Sequence, residues 1–442
     1  MSRPRSVLVR LGAVALGLAP FALLEGVLRL GPWDLPDRAT WNRDHGLLGI
    51  EEKHRPIERL FVQDGARCIT LPSLSQGLRV EDDRVIEPQS FRCATPAGRV
   101  RILALGGSST QGFGAPDGAS WPRQLERTLR ERGHDVEVIN AGVGGHDSVQ
   151  VRQLAERLST WIDADLQVLY AGHNDHAYFE VADAAELAGP GLRALRRMGD
   201  ALYLGRLGHL AWRRFDPPEL DRPSWRNPGD QAGGDWRVRP VPDTADARAA
   251  EVAAEQRARA VLEARFAESV ARIAKLTPKL VVVAPVSRAV DPPGDSLHWF
   301  PLDEQALASF ERHLAGAKVG NTRDVDAALA LDPSYAHLRW AAGRRALRER
   351  DPEAAIEHLQ AAHELVPTTG ATWAARDFRA VVERAALAVG ASYVDPWPAF
   401  EQGSRPRGLP GDPLMNDAVH PSEAGYAVLA ELIAEACEPL LP

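Results

Sequence analysis

Five short apolar runs, separated by amphipathic stretches, predict an α/β protein built as a three-layer α/β/α sandwich around a parallel sheet. The runs are RILAL (101–105), VEVIN (136–140), LQVLYA (166–171), LVVVAP (280–285) and SYVDP (392–396). They are largely continuous in apolar residues, as strands covered on both faces are. Between them, WPRQLERTLRERG (121–133), SVQVRQLAERLSTWI (148–162) and a long stretch from about Asp246 to Leu276 carry helical patterns. Strands that alternate with helices form parallel sheets with helices on both faces.

The chain begins differently. Arg3, Arg5 and Arg10 precede or flank the uncharged run Leu11 to Leu24, whose 14 residues suit a signal-peptide core and are short for a membrane span. Val7 to Leu30 is long enough to span, with Arg10 and Glu25 near its ends, where their side chains can snorkel. No small-x-small cleavage site follows. Residues 1–32 therefore read as a signal anchor, a transmembrane helix with its basic end in the cytoplasm. A cleaved signal and a buried helix are the alternatives. Anchor and signal alike place the remainder outside the cytoplasm, on the periplasmic or cell-surface face.

Residues 33–98 are rich in Pro, Arg and Asp and read as a stalk that leads into a small packed subsegment. Cys68 and Cys93 lie there and can pair in an oxidising compartment, or stay as two buried thiols. There is no CxxC, so a zinc knuckle has no support. The main domain is expected over residues 99–442, with two insertions. The first, at about 181–244, carries Trp212, Trp225 and Trp236 among many prolines and arginines. It follows the third strand, so it should emerge at the edge of the sheet where ligands bind. It reads as a lid or substrate wall, or as a packing flap with buried Trp. The second, at about 320–370, contains DPSYAHLRWAAGRRALRERDPEAAIEHLQAAHELVPTT (332–369). Gly343, Ala355, Leu359, Ala362 and Pro367 fall at the spacing of a tetratricopeptide repeat, and Pro333 to Pro367 is its 34-residue period. Upstream, only Ala328 and Pro333 match the tail of a preceding repeat, too little for a free solenoid. The expectation is a helical hairpin packed on the main domain, with protein docking at 332–367 as the alternative.

Net charge is -8 over 442 residues. A nucleic-acid partner needs a basic field, which this composition does not provide.

Four stretches carry the candidate chemistry. Each follows a strand or precedes the last helix. The first, GGSST (106–110), is not a P-loop: after Gly107 and Gly112 come Phe113 and Gly114, not Lys and Ser or Thr. It is not a GxGxxG fingerprint, and it fails GxSxG because Thr110 stands at the last glycine. What remains is a serine just past a strand on a glycine-rich turn. The others are NAGVGGHDS (140–148), AGHND (171–175) and NDAVHPSEAGY (416–426).

In order and placement the four resemble the blocks of the SGNH, or GDSL-type, hydrolase family. Ser108 matches the block-one serine, Gly145 the glycine of the second block, Asn174 the asparagine of GxND, and Asp417 with His420 the DxxH near the C-terminus. The Asp that precedes the serine in the family is Gly107 here. The resemblance covers about residues 99–442 outside the insertions. It implies a flavodoxin-like sheet, a Ser108–His420–Asp417 triad, an oxyanion hole from Ser108, Gly145 and Asn174, and no cofactor. The N-terminal segment and helical insertion resemble membrane-anchored bacterial members.

The residue types suit that chemistry. A serine hydroxyl needs a base within hydrogen-bond reach, which His420 can supply. Asp417, three residues earlier, can hold the imidazole in one tautomer from the same turn. Pro421 is expected at the first position of the closing helix. These readings make an extracytoplasmic serine esterase with a lipid or acylated glycan as ester substrate. An O-acyltransferase acting on a surface polysaccharide would use the same residues, and a non-catalytic binding module is the reading from another class. A rival site is a metal held by His173, Asp175 and His176, with His146, but His173 and His176 flank a loop at a strand end rather than a helix face. No metal is expected.

Overall fold

The structure is a computed structural model that describes residues 19–21, 23–30, 61–64, 67–70, 90–116, 118–160, 162–175, 202–203, 207, 244–293, 296–300, 302–367 and 377–442. The chain divides into two units, Met1–Glu52 with Ala182–Ser224, and Lys53–Val181 with Trp225–Pro442.

In the first unit, residues 19–21 and 23–30 are helical. The Glu25 carboxylate accepts from Arg29 Nε at 2.8 Å and from the Tyr203 N–H at 3.0 Å. Among the described residues no helix is long and apolar enough to cross a membrane. Residues 1–18, with much of the expected apolar core, lie outside them, and so does nearly all of the Trp-rich insertion.

The second unit holds two sheets. Strands β1 (Phe61–Asp64), β2 (Arg67–Thr70) and β3 (Ser90–Arg92) form a small antiparallel sheet in that order. A disulfide joins Cys68 on β2 to Cys93 just past β3. The main sheet contains β4 (Val100–Gly106), β5 (Val136–Gly142), β6 (Leu166–Tyr170), β7 (Leu280–Val283) and β8 (Ser392–Val394). All are parallel, in the order β5-β4-β6-β7-β8. The order reverses beside β4, so a crevice opens beyond its C-terminal end, the usual place for a ligand in such sheets.

Helices cover both faces. Ile102 and Ala104 of β4 pack with Trp121, Leu125 and Leu129 of the helix Trp121–Glu131 and with Tyr426, Leu429 and Ile433 of the helix Glu423–Cys437. Strand alternation turns Leu103 and Leu105, also fully buried, to the other face. Helices Ser148–Leu158, Ala245–Ile273 and Phe378–Ala388 pack together as a second layer, where the Phe266 and Phe378 rings meet edge to face at 5.1 Å. This is the α/β/α sandwich that the strand pattern predicts.

The helical insertion is larger than its sequence pattern suggests. Helices Glu304–Lys318, Thr322–Leu331, Ala336–Glu349 and Pro352–Glu364 follow one another as two antiparallel pairs. The added first helix buries Phe310, Leu314 and Ala317 against Val325, Tyr335 and Leu338. In the second pair the helices meet at Gly343, where a Cβ would lie 2.6 Å from Leu359 Cγ. The insertion is also bonded to the loop after β7: Trp340 Nε1 donates to Val290 O at 3.1 Å and Trp299 Nε1 to Leu365 O at 3.0 Å.

Candidate active site

Strand β4 ends at Gly106, and Gly107 caps the four-residue helix Ser108–Gln111. A left-handed Gly112 closes that helix. Thr110 Oγ1 donates to Tyr170 O at 3.2 Å, which pins the helix to the end of β6. Ser108 is thus held just beyond the sheet, half-buried at the mouth of the crevice.

Asp417 and His420 arrive from the far end of the chain on a tight reverse turn. The Asn416 N–H donates to His420 O at 2.9 Å and the Ser422 N–H to Leu414 O at 2.9 Å, closing the turn from Leu414 to Ser422. Pro421 lies inside this turn, bridged to Met415, and does not start the closing helix. Ser422 does so, because its Oγ accepts the Gly425 N–H at 3.2 Å and supplies the cap that Pro421 cannot.

The three side chains form a bonded series. Ser108 Oγ–H donates to His420 Nε2 at 2.8 Å. His420 Nδ1–H donates to Asp417, with Oδ2 at 2.8 Å and Oδ1 at 2.9 Å. Asp417 Oδ1 also accepts the N–H groups of Val419 at 3.0 Å and His420 at 2.8 Å. Burial works against the Asp417 charge, but the bonds from His420 and from these two amides outweigh it and hold the carboxyl below its ordinary range. A carboxylate that stays ionised keeps Nδ1 protonated and leaves Nε2 as the acceptor for the serine proton.

Gly145 and Asn174 stand close by. Asn174 Nδ2 donates to His146 O at 3.1 Å, tying the loop after β6 to the loop after β5. Both loops converge on Gly107: a Cβ there would lie 2.9 Å from Asn174 Nδ2 and 3.3 Å from His146 O. The departure at position 107 thus makes room for the Asn174 amide next to Ser108. Gly145 has a φ of +75°, a left-handed turn that a side chain would strain. Behind it, Asp147 and Gln150 form a reciprocal cap on helix Ser148–Leu158.

Two of the rival metal ligands, His173 and Asp175, are engaged elsewhere. His173 Nε2–H donates to Val286 O at 3.0 Å, and its ring meets Tyr170 edge to face at 5.2 Å. Burial is the main reason that its pKa is lowered to about 4, so it stays neutral near pH 7. Asp175 accepts the Ser148 N–H at 3.1 Å and the Ser148 hydroxyl. Burial, then the charge of Asp147, raises Asp175 to about 7 against those bonds. Among the described residues no group of three or more His, Cys, Asp and Glu side chains is placed to hold a metal ion. His176 lies outside the described residues.

Other contributors have no motif. Ser109 Oγ donates to Val419 O at 2.9 Å, and the Arg288 N–H to Ala418 O at 2.9 Å. The Phe113 ring lies 4.4 Å from the His420 ring, and the carbonyl of Phe113 accepts Tyr426 Oη–H at 2.9 Å. Ser109 stands in a quoted stretch but next to a better candidate. Arg288 acts through its backbone, which no side-chain pattern reveals.

Residues 104–344, more than half of the chain, match the GDSL-like Lipase/Acylhydrolase family, and the chain belongs to that family. The match includes Ser108, Gly145 and Asn174 and ends ahead of Asp417 and His420. Solved structures that resemble the chain include a lipase/acylhydrolase from Enterococcus faecalis, at 14% identity over 78% of this chain and 97% of that one, with a TM-score of 0.32. An extracellular lipase from Streptomyces rimosus has 13% identity over 76% and 99%, with a TM-score of 0.34. The acetyl xylan esterase AlAXEase has 11% identity over 76% and 99%, also at 0.34. No curated protein matches the sequence.

Proposed function

We propose that this acylhydrolase is an extracytoplasmic serine esterase that cleaves a carboxylic ester through an acyl-enzyme on Ser108. The observation that carries the reading is the bonded series from Ser108 Oγ through His420 to Asp417, 2.8 Å at each step.

Ser108 Oγ attacks the ester carbonyl carbon while His420 Nε2 takes the hydroxyl proton. The carbonyl oxygen becomes an oxyanion. Its donors are the Ser108 and Gly145 N–H groups and the Asn174 amide, which has a second hydrogen besides the one given to His146 O. The carbon–oxygen bond to the alcohol then breaks, and the departing alkoxide takes the proton from His420. Water attacks the acyl-enzyme, gives its proton to His420, and the acid leaves as the proton returns to Ser108. Throughout, the Asp417 charge holds the tautomer and stabilises the imidazolium.

Two features support a place outside the cytoplasm: the basic-then-apolar N-terminus and the Cys68–Cys93 disulfide. Such a place offers O-acylated glycans and lipids as substrates. The test is p-nitrophenyl acetate hydrolysis by the full chain in detergent, beside Ser108→Ala and His420→Ala. Both variants should lose turnover, and fluorophosphonate should label the wild type but not Ser108→Ala. A Ser108→Ala protein that still hydrolyses at the wild-type rate sinks the reading. Proteolysis of the second unit in intact cells, without lysis, checks the location.

A further inference from the structure

Only two residues separate Asp417 from His420, and both are gripped. The Arg288 N–H holds the carbonyl of Ala418, and Ser109 Oγ holds that of Val419, each at 2.9 Å. The side chains of Ala418 and Val419 pack on the buried cluster of Ala336 and Val366, against which Leu365 also packs. Ala336 opens the third helix of the insertion, and Val366 follows its fourth. The ends of one helical pair thus form the apolar seat of the Asp417–His420 turn.

The seat is itself braced. Trp299 Nε1 donates to Leu365 O at 3.0 Å, next to Val366. His337, next to Ala336, gives its N–H to Ser296 Oγ at 2.9 Å, and the Ser296 hydroxyl donates to His337 Nδ1 at 2.7 Å. Gln360 Nε2 reaches Gly408 O at 3.0 Å, in the segment that leads to the turn. The hydrogen bonds to the two carbonyls set the path of the turn, and the insertion backs the side chains of Ala418 and Val419.

We infer that the helical insertion is a positioning element for the acid–base turn, with Val366 as its main contact residue. This rests on the Ser108–His420–Asp417 reading. Val366 touches no reacting atom. It acts by holding Ala418 and Val419, and through them the angle at which His420 meets Ser108. Displacements near one ångström cost up to about a hundredfold in rate when reacting groups must align.

The experiment compares Val366→Ala, Val366→Ile, Val419→Ala and the double variant Val366→Ala/Val419→Ala in the full chain, with Ser108→Ala as control. We expect Val366→Ala to lower kcat for p-nitrophenyl acetate about tenfold with KM unchanged, and to slow fluorophosphonate labelling by the same factor. Val366→Ile should restore both. Val419→Ala should match Val366→Ala, and the double variant should be no worse than either, because both remove one contact. Trp299→Phe, a milder change to the brace, should lower kcat about twofold and serves if Val366→Ala does not fold. Wild-type kcat in folded Val366→Ala, or in Trp299→Phe where the former fails to fold, overturns the inference. So does an additive double variant. Full activity in Ser108→Ala would instead overturn the underlying reading.

Discussion

Strand β4 has a polar cluster at each end, and the two differ in what they leave open. At its start, the Arg101 guanidinium is fully buried. It donates to Glu137 Oε1 at 2.7 and 2.9 Å and to the carbonyls of Cys93 and Arg92, each at 2.6 Å, with its cation over the Phe91 ring. This network closes on itself and welds the disulfide-bonded sheet to the main one. At the other end, Ser108, His420 and Asp417 form an open series that finishes at a half-buried hydroxyl. A buried charge held by several hydrogen bonds to one carboxylate and two carbonyls holds structure together, whereas a series that ends at a half-buried hydroxyl can pass a proton outward.

The strongest break of this comparison is at the open end. Ser108→Ala or His420→Ala should cut ester turnover by about 10⁴-fold or more, while the melting transition stays close to wild type. Turnover and calorimetry on the same samples check both halves. At the closed end the pattern should invert. Arg101→Met strands Glu137 and two carbonyls, and should cost about 3–5 kcal/mol of stability in chemical denaturation. The protein that stays folded should retain its kcat.

Asn174→Ala sharpens the contrast within the open end. Loss of one oxyanion donor should lower kcat about 10²–10³-fold with little change in KM. A large rise in KM alone would instead make Asn174 a binding residue.

The smallest expected effect is on stability against pH. His173 and His337 are both lowered to about 4, chiefly by burial, from an unfolded value near 6.5. Unfolding frees them to take protons, so stability is full above about pH 6.5 and falls as the pH drops towards 4. Asp175, raised to about 7, works the other way: its contribution is present at low pH and is lost as the pH rises from about 4 to 7. Denaturation midpoints at pH 5 and 8 should show His337→Gln reducing the acid loss and Asp175→Asn flattening the loss on the neutral side.

Much of this was legible from the chain alone, and unevenly so. The five strands were readable because four are largely buried apolar runs and the fifth, β8, ends on the buried Val394, and they match the observed strands to within about two residues. The cap that starts helix Ser148–Leu158 came only from the structure, although Asp147 and Gln150 have the types and spacing of a reciprocal cap. The helix Glu304–Lys318 was harder to read, since its buried residues Phe310, Leu314 and Ala317 meet other helices of the insertion and its pattern does not repeat the one downstream. Pro421 misled because its fixed φ suits a helix start equally well as the turn it occupies, and the Ser422 hydroxyl decided between them.

The sequence by itself determined the sheet, the four polar stretches and their order, because strand periodicity and residue chemistry are local properties. Only the tertiary structure decided that residues 312 positions apart share a hydrogen bond, that Gly107 leaves room for Asn174, and that the helical insertion seats Ala418 and Val419. Those facts depend on which surfaces meet after the chain has crossed the sheet four times. No local pattern encodes a contact between two segments that are each compatible with many partners.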